Sequence, residues 1–139
     1  MRFKLALLFY SFKRFFLNFK GYTIGIRSQI ERGVQLDKLN PQGIKIGNNT
    51  LIAKGTVVLS HSHPIRTKSD NPMFYNTEIG NNCFIGINVI IQPGIIISDN
   101  VIIGDGSIVT KDIPKNSFAA GNPAIVIKNI QCGDFGKIN

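Results

Sequence analysis

A six-residue repeat constrains this chain more than any other feature of its sequence. Counted from Ile79 the chain reads IGNNCF, IGINVI, IQPGII, ISDNVI, IGDGSI and VTKDIP, and counted from Ile46 it reads IGNNTL, IAKGTV and VLSHSH. Each unit begins with Ile or Val, and its fourth residue is Asn, Gly or Asp except in the unit that holds the histidines. Those residue types accept a positive φ most readily, so a tight corner is expected at the fourth position.

The period of six predicts short strands joined at corners, because it fits neither an amphipathic helix nor ordinary hairpins. Side chains alternate along a strand, so the first and fifth positions are expected to point inward and the sixth outward. Three such sides make a coil, and successive coils stack at roughly 4.8 Å through parallel hydrogen bonds. The sequence therefore predicts an all-β solenoid over residues 21–130.

Large apolar residues occupy the outward sixth position of most repeats. Scattered surface residues would not recur with this regularity, and a row of exposed apolar groups marks an interface. We therefore expect a closed homo-oligomer. The members of the row are Leu51, Val57, Phe84, Ile90, Ile96, Ile102 and Ile108.

The repeat is irregular at two places. A weaker set of units precedes Ile46, and the stretch LDKLNPQGIK within it carries about four residues too many, so one corner is expected to bulge. From Val58 to Ile79 the chain advances 21 residues, three more than one coil, which predicts a coil with a protruding loop at about residues 61–78. His61 holds the corner position there, and His63 precedes Pro64 at the start of the loop. Residues 131–139 are expected to form a tail.

The first 20 residues break the pattern and predict an amphipathic helix. Two interpretations stay open: the apolar face packs on the solenoid and caps its open end, which is the preferred one, or it lies on an anionic membrane surface. The segment is too short to span a bilayer, which takes ~20 apolar residues, and it lacks the cleavage site of a secretory signal. The apolar residues at helical spacing are Leu5, Leu8, Phe9, Phe12, Phe16 and Phe19.

The net charge of +8 favours anionic partners, but its distribution excludes nucleic acid. Five basic residues and no acidic residue lie in the first 20 positions, and no base-stacking or groove-reading motif accompanies them. Cys83 and Cys132 do not suggest a disulfide framework and are expected to be reduced thiols of a cytosolic protein.

The repeat, the pair His63-Pro64 and the ending GSIVTKDIPKNSFAAGNPAIVI together resemble the hexapeptide-repeat acyltransferases, especially the bacterial sugar O-acetyltransferases. The resemblance covers about residues 24–130. It implies a left-handed parallel β-helix, a homotrimer, acetyl-CoA as the donor substrate and no metal. A left-handed crossover departs from the general rule for parallel strands, so the handedness comes from the resemblance alone.

The resemblance also implies an active site between neighbouring subunits, with His63 as general base. A neutral imidazole can take the proton of an alcohol as its oxygen attacks a thioester. Donors to the oxyanion are expected in the segment from Phe84 through Gly86 to Ile87, where Phe84 replaces the Trp that is common in the family. The role of His61 stays open between a corner residue, a contact to the acceptor, and an orienting partner.

The CoA-binding residues implied by the resemblance are Asp105, Gly106, Thr110, Lys111 and Lys128. Small residues let the pantetheine arm approach the backbone, and lysines offer charge to the phosphates. Ile125 stands where a phosphate-contacting Arg is common in the family, so Lys115 or Lys128 is expected to take that part.

The resulting hypothesis is transfer of an acetyl group to a sugar hydroxyl, in the synthesis of a surface polysaccharide or lipopolysaccharide, by a cytoplasmic protein that can be peripheral at the membrane. Transfer to a sugar amine and a non-catalytic scaffold stay open as alternatives. A carbonic anhydrase of the same solenoid fold would need three histidines, and the chain has two. Serine acetyltransferases carry a helical N-terminal domain longer than these 20 residues.

Overall fold

A computed structural model describes residues 2–63 and 73–138 of the chain. It contains one α-helix, 14 short strands and two 3₁₀ turns, at Pro41–Gly43 and Asp134–Gly136. The helix α1 spans Arg2–Phe19. The strands are β1 Thr23–Ile24, β2 Gln29–Ile30, β3 Gln35–Leu36, β4 Ile44–Ile46, β5 Leu51–Ile52, β6 Val57–Val58, β7 Thr77–Ile79, β8 Phe84–Ile85, β9 Ile90–Ile91, β10 Ile96–Ile97, β11 Val101–Ile103, β12 Ile108–Val109, β13 Ser117–Gly121 and β14 Ala124–Asn129.

The strands form the three sides of a prism. The first side stacks β1, β4, β7 and β10, the second stacks β2, β5, β8, β11 and β13, and the third stacks β3, β6, β9 and β12, all in parallel. Only β14 reverses, pairing antiparallel with β13. The protein is therefore a left-handed parallel β-helix with an N-terminal helix, as the sequence predicted.

The first position of each repeat builds the core. Ile52, Ile85 and Ile91 have no solvent exposure, and the other first-position residues of the coils are also buried. Each such side chain contributes about 1.5–3 kcal/mol to folding. The fifth position is buried too, and where it is polar its group is paired: the hydroxyls of Thr50 and Thr56 donate to the carbonyls of Gly80 and Gly86, both at 2.8 Å.

The corners take the predicted left-handed backbone. Asn49, Asn82 and Asn100 have φ of 54°, 54° and 56°, and Gly55 and other corner glycines fall in the same region. The prediction is wrong for Asp112, which does not adopt a positive φ. Its carboxylate instead accepts a hydrogen bond of 2.8 Å from the N–H of Ile96, so an acidic side chain rather than a left-handed residue shapes that corner.

The 21-residue interval holds no further coil, so the prediction of a coil with a protruding loop is wrong. Ile46 pairs in register with Ile79, and the third side of one coil therefore leads directly to the first side of the next. Keeping this buried column continuous forces the surplus residues out as a loop. The backbone closes its base, with Ser62 N–H donating to Met73 at 2.9 Å and Tyr75 N–H donating to Ser60 at 2.8 Å. Residues 64–72, Pro64 included, lie outside the described residues.

Helix α1 packs on β1 and β2 of the first coil, but not with its apolar face. Leu17 contacts the core, and Lys13 donates to the carbonyls of Ile30 and Glu31, both at 2.8 Å. The predicted apolar residues point outward instead: Leu5, Leu8, Phe9, Phe12, Phe16 and Phe19 are all exposed. The capping interpretation is thus correct about position and wrong about the face. Carbonyls at the open end of a solenoid need a donor, which an ammonium supplies and a phenyl ring does not.

Both cysteines are buried and free, as the sequence indicated. Burial raises the pKa of Cys83 to about 12, and its thiol donates to the carbonyl of Ser98 at 3.2 Å. Burial also raises the pKa of Cys132. Neither thiol is therefore ionised near neutral pH, where only the thiolate is nucleophilic.

Candidate active site

The base of the loop forms a rigid corner between the third and first sides. His61 bridges antiparallel to Phe74 across the two arms of the loop. The Asn40 amide ties both arms together, because it donates to the carbonyls of Ser60 at 2.9 Å and Tyr75 at 3.0 Å. Asn40 belongs to the bulge that the four surplus residues create. The bulge of one coil therefore supports the histidine segment of the next.

A buried carboxylate holds His61. The Asp37 side chain is 2% exposed and contacts His61 Nδ1 through Oδ2. The same oxygen accepts from the backbone N–H of Ser60 at 2.8 Å and of His61 at 3.0 Å, while Oδ1 accepts from Leu39 N–H at 3.0 Å. The sequence prediction did not include Asp37. Its signal was the position itself, since it follows β3 at the same corner as His61, one coil earlier.

Asp37 is ionised at neutral pH. Burial alone would raise the pKa of its carboxyl group, but the hydrogen bonds from Ser60, the His61 ring and Leu39 outweigh burial and lower the pKa. A carboxylate only accepts hydrogen bonds, so it favours the His61 tautomer with the proton on Nδ1. That tautomer is assigned from the bonding partner. Nε2 then carries a lone pair.

The second imidazole stands beside the first. His63 is exposed, and its ring centroid lies 5.0 Å from that of His61 with the planes at 82°. The structure thus brings together both histidines that the sequence singled out, and it adds Asp37 behind them.

A cleft of about 850 Å³ opens between α1 and the third side and reaches this corner. His61 and Asp37 line its inner end, and Val57 and Leu59 line its wall. The cleft is cationic, since its lining also includes Lys13, Lys20 and Lys38.

The segment predicted to stabilise the oxyanion lies elsewhere. Ile87 is partly exposed at the corner between the second and third sides, where its N–H donates to Asp105 Oδ1 at 2.9 Å. The N–H of Gly86 donates to the carbonyl of Ile103 at 2.9 Å, and any side chain at Gly86 would collide with the Asp105 carboxylate. Both N–H groups therefore have acceptors within the chain.

Phe84 is separated from that corner. It lies on the second side, under the C-terminal tail, where a Cβ at Gly136 would collide with the Phe84 side chain and backbone. The tail is fixed there by the Phe135 N–H, which donates to Asn49 at 2.8 Å, and by an ion pair of 2.6 Å between Arg27 and Asp134.

The residues predicted to bind CoA divide between two corners. Asp105 and Gly106 share the corner of Ile87, and Gly106 N–H donates to the Ile87 carbonyl at 2.8 Å. A Cβ at Gly106 would meet no atom within 4 Å, so a ligand can approach the backbone there. Thr110 and Lys111 instead follow β12 at the corner of His61, two coils further along the stack.

Lys128, Ile125 and Lys115 lie near the far end of the stack. Lys128 is on β14, with its Nζ 5.9 Å from the Phe118 ring centroid, and Ile125 on the same strand is 65% exposed. Lys115 is exposed just before β13. One chain therefore carries two partial sites, one at each edge of the third side.

Three comparisons relate the chain to known proteins. The family model described as bacterial transferase hexapeptide (six repeats) matches residues 76–111. Galactoside O-acetyltransferase of Escherichia coli strain K12 is 39% identical over 117 residues, which cover 82% of this chain and 58% of that protein.

Solved structures of two acetyltransferases share the fold. A maltose O-acetyltransferase from Clostridium difficile 630 superposes with a TM-score of 0.69 at 32% identity, covering 88% of this chain and 76% of that one. A galactoside acetyltransferase in complex with coenzyme A gives a TM-score of 0.63 at 34% identity, covering 77% and 64%. The chain thus spans somewhat less than two thirds of the two galactoside enzymes.

Proposed function

Because the chain belongs to the bacterial transferase hexapeptide-repeat family, we propose that it transfers an acetyl group from acetyl-CoA to a hydroxyl group of a sugar. The observation that carries the proposal is the corner at the loop base, where two imidazoles lie 5.0 Å apart with a buried carboxylate behind them. The similarity to a galactoside acetyltransferase in complex with coenzyme A supports the donor.

In the proposed reaction His63 is the general base. Its imidazole takes the proton of the acceptor hydroxyl as the oxygen attacks the thioester carbonyl. The tetrahedral intermediate then collapses, the C–S bond breaks, and the imidazolium returns the proton to the CoA thiolate. Atoms and charges balance without a metal. Asp37 and His61 act as a positioning pair, because the carboxylate fixes the His61 ring and that ring stands edge-on to His63.

The two partial sites support a closed homotrimer as the working form. Ile87, Asp105 and Gly106 lie at one edge of the third side, and His61 and Lys111 lie at the other. A neighbouring copy that packs along this side would bring the first corner of one chain to the second corner of the next. The partly exposed Ile90 of the third side is available for that contact. Analytical ultracentrifugation should therefore give three times the mass of one chain.

The cationic cleft favours an acceptor that carries negative charge. Lys13, Lys20 and Lys38 line it together with His61. Acidic sugars and phosphate-linked glycans would meet these ammonium groups, which suits a role in making a surface polysaccharide or lipopolysaccharide. The proposed location is the cytoplasm, where the two free thiols stay reduced.

The test is an acetyl-transfer assay over a panel of neutral and acidic sugars and sugar amines, with release of free CoA as the readout. Parent protein should release CoA in a sugar-dependent manner, and His63→Ala should not. A thermal-shift experiment with CoA accompanies it, because a ligand that binds only the native state raises the melting temperature. Absence of both transfer and a CoA-dependent shift would contradict the proposal and favour a scaffold. Preference for amines over hydroxyls would reassign the reaction to N-transfer.

A further inference from the structure

The outward side of α1 is a continuous apolar surface with no covering element in the described residues. Phe12 and Phe19 are 71% and 83% exposed, although large apolar side chains normally gain free energy by leaving water. We call this surface the outer apolar face. Its residues are Leu5, Leu8, Phe12, Phe15, Phe16 and Phe19.

Core packing does not explain this orientation. The opposite side of α1 holds the helix on the first coil through Leu17 and the two hydrogen bonds of Lys13. Six large apolar side chains on one helix form the kind of patch that monomeric proteins rarely leave exposed unless it contacts a partner.

The charges around the face are all of one sign. The first acidic residue of the chain is Glu31, and Lys4 and Lys20 are both exposed. At 3.6 residues per turn these two lysines flank the outer apolar face on opposite sides. Lys20 Nζ lies 4.4 Å above the Phe16 ring, so an ammonium stands at the border of the apolar surface.

We propose that the outer apolar face docks the protein on an anionic lipid bilayer, with α1 lying in the plane of the interface. An apolar face with lysines on both flanks is the pattern of an interfacial helix, in which the apolar side enters the headgroup boundary and the lysines meet acidic lipids. Among the described residues no helix is long and apolar enough to cross a membrane.

A second copy of the chain is the competing occupant of the face. Packing two such helices face to face would bring Lys4 and Lys20 of one copy near those of the other. Helix α1 contains no acidic residue that could neutralise them. An anionic surface offers the opposite charge, and the attraction amounts to about fivefold in affinity per lysine near an acidic membrane.

Docking would also place the candidate active site beside the lipid. The cleft that reaches His61 is bounded on one side by α1, through Lys13, Leu17 and the nearby Lys20. An acceptor held at the membrane could enter it without leaving the surface. The docking itself does not require the proposed acetyl transfer, so the two can fail separately.

The experiment measures binding of the full chain to vesicles of phosphatidylcholine, with and without phosphatidylglycerol, by co-flotation. Parent protein should bind the anionic vesicles and leave the neutral ones largely unbound. Phe12→Ser should lower the partition coefficient about tenfold, because one large apolar group no longer enters the interface. The matched control is Ile127→Ser, which removes an apolar group of 57% exposure from β14 and should change nothing.

The charge is tested separately. Lys4→Gln combined with Lys20→Gln should weaken binding to anionic vesicles about 20-fold. Added salt should weaken binding of the parent protein in the same direction.

Fluorescence gives an independent reading, because the chain has no tryptophan. Phe12→Trp should show a blue-shifted emission on addition of anionic vesicles, and Ile127→Trp should not. Equal binding by Phe12→Ser and parent, or equal binding to both vesicle types, overturns the proposal. Emission of Phe12→Trp that is already blue-shifted before lipid is added, with Phe12→Ser reducing the size of the oligomer, assigns the face to a second copy instead.

Discussion

Two corners of the prism put polar side chains to opposite uses. At the corner between the first and second sides, Asn49, Asn82, Asn100 and Asn116 stack one above another, with amide-to-amide distances of 3.3, 3.3 and 3.0 Å. Each coil repeats the same residue with the same left-handed backbone. At the corner between the third and first sides the residue changes in every coil, and His61 there turns to Asp37 instead of to a copy of itself.

The difference separates stability from chemistry. In the asparagine ladder each amide is donor to one neighbour and acceptor from the other, so its polar groups are spent on holding coils together. At the histidine corner the repeat is broken by a bulge and a loop, and the polar groups there include an exposed imidazole. Substitutions at the two corners should therefore affect different measurements.

The largest effect is expected for His63→Ala. If this imidazole is the base, kcat/KM for acetyl transfer should fall about 10²- to 10⁴-fold. The free energy of unfolding should change by less than about 0.5 kcal/mol, because the side chain is exposed. The steady-state assay and urea denaturation measure the two quantities. A larger loss of activity from His61→Ala than from His63→Ala would reverse the roles of the two rings.

Asp37→Asn should affect both measurements. The amide cannot accept from all the donors that face the carboxylate, so stability should drop by about 1–3 kcal/mol. Loss of the carboxylate that orients His61 should also lower kcat about tenfold or more and shift the pH profile of kcat. Unchanged kcat and an unshifted profile, with lowered stability, would show that Asp37 only supports the corner.

The same residue predicts a dependence of stability on pH. The native-state pKa of Asp37 lies below its ordinary value of 3.8, so its contribution to stability is present above that value. The contribution is lost as the pH falls from about 4 through the native-state pKa. Urea denaturation at neutral and acidic pH should show a steeper acid loss for the parent than for Asp37→Asn. Parallel curves would contradict the assignment.

Asn82→Ala should reverse the pattern of His63→Ala. It removes two ladder contacts and leaves a β-carbon at φ 54°, which should cost about 2 kcal/mol of stability. Asn82→Gly is the matched variant, because it loses the same contacts without the backbone penalty and should cost less. Activity at a temperature well below unfolding should be unchanged for both.

The smallest effect is expected at Lys111, which shares the histidine corner. If its ammonium contacts a CoA phosphate, Lys111→Ala should weaken CoA binding about threefold, as for an exposed charge pair. Lys45→Ala on the first side is the control, since Lys45 pairs with Glu78 at 3.4 Å. Calorimetric titration measures both. Equal weakening by the two variants would indicate a general effect of net charge.

Most of the fold could be predicted because the repeat fixes which side chains meet. The buried column from Ile46 through Ile79 to Ile97 follows directly from the period of six. The loop was misjudged because an interval of nearly one coil length can be either a coil or an extruded segment. Only the pairing of Ile46 with Ile79 decides between them.

The site was less accessible to sequence reasoning than the fold. The Asp37–His61 contact joins residues 24 positions apart across an irregular corner, where the period no longer gives the register. Helical periodicity correctly grouped Phe12 and Phe19 on one face, but it does not tell whether that face meets protein or solvent. The acceptors of Gly86 and Ile87 come from the next coil, which a local motif does not reveal.

The reversal of β14 has a consequence for how copies of this chain can grow into larger objects. A stack of parallel coils is an open template, and a bare last coil could recruit another chain and extend into a fibre. Here the second side ends in a strand that runs backwards and carries Lys128 and Asn129, while α1 covers the first coil at the other end. Lengthwise polymerisation is thereby blocked at both termini, and association is directed to the flanks, where it closes after a fixed number of copies.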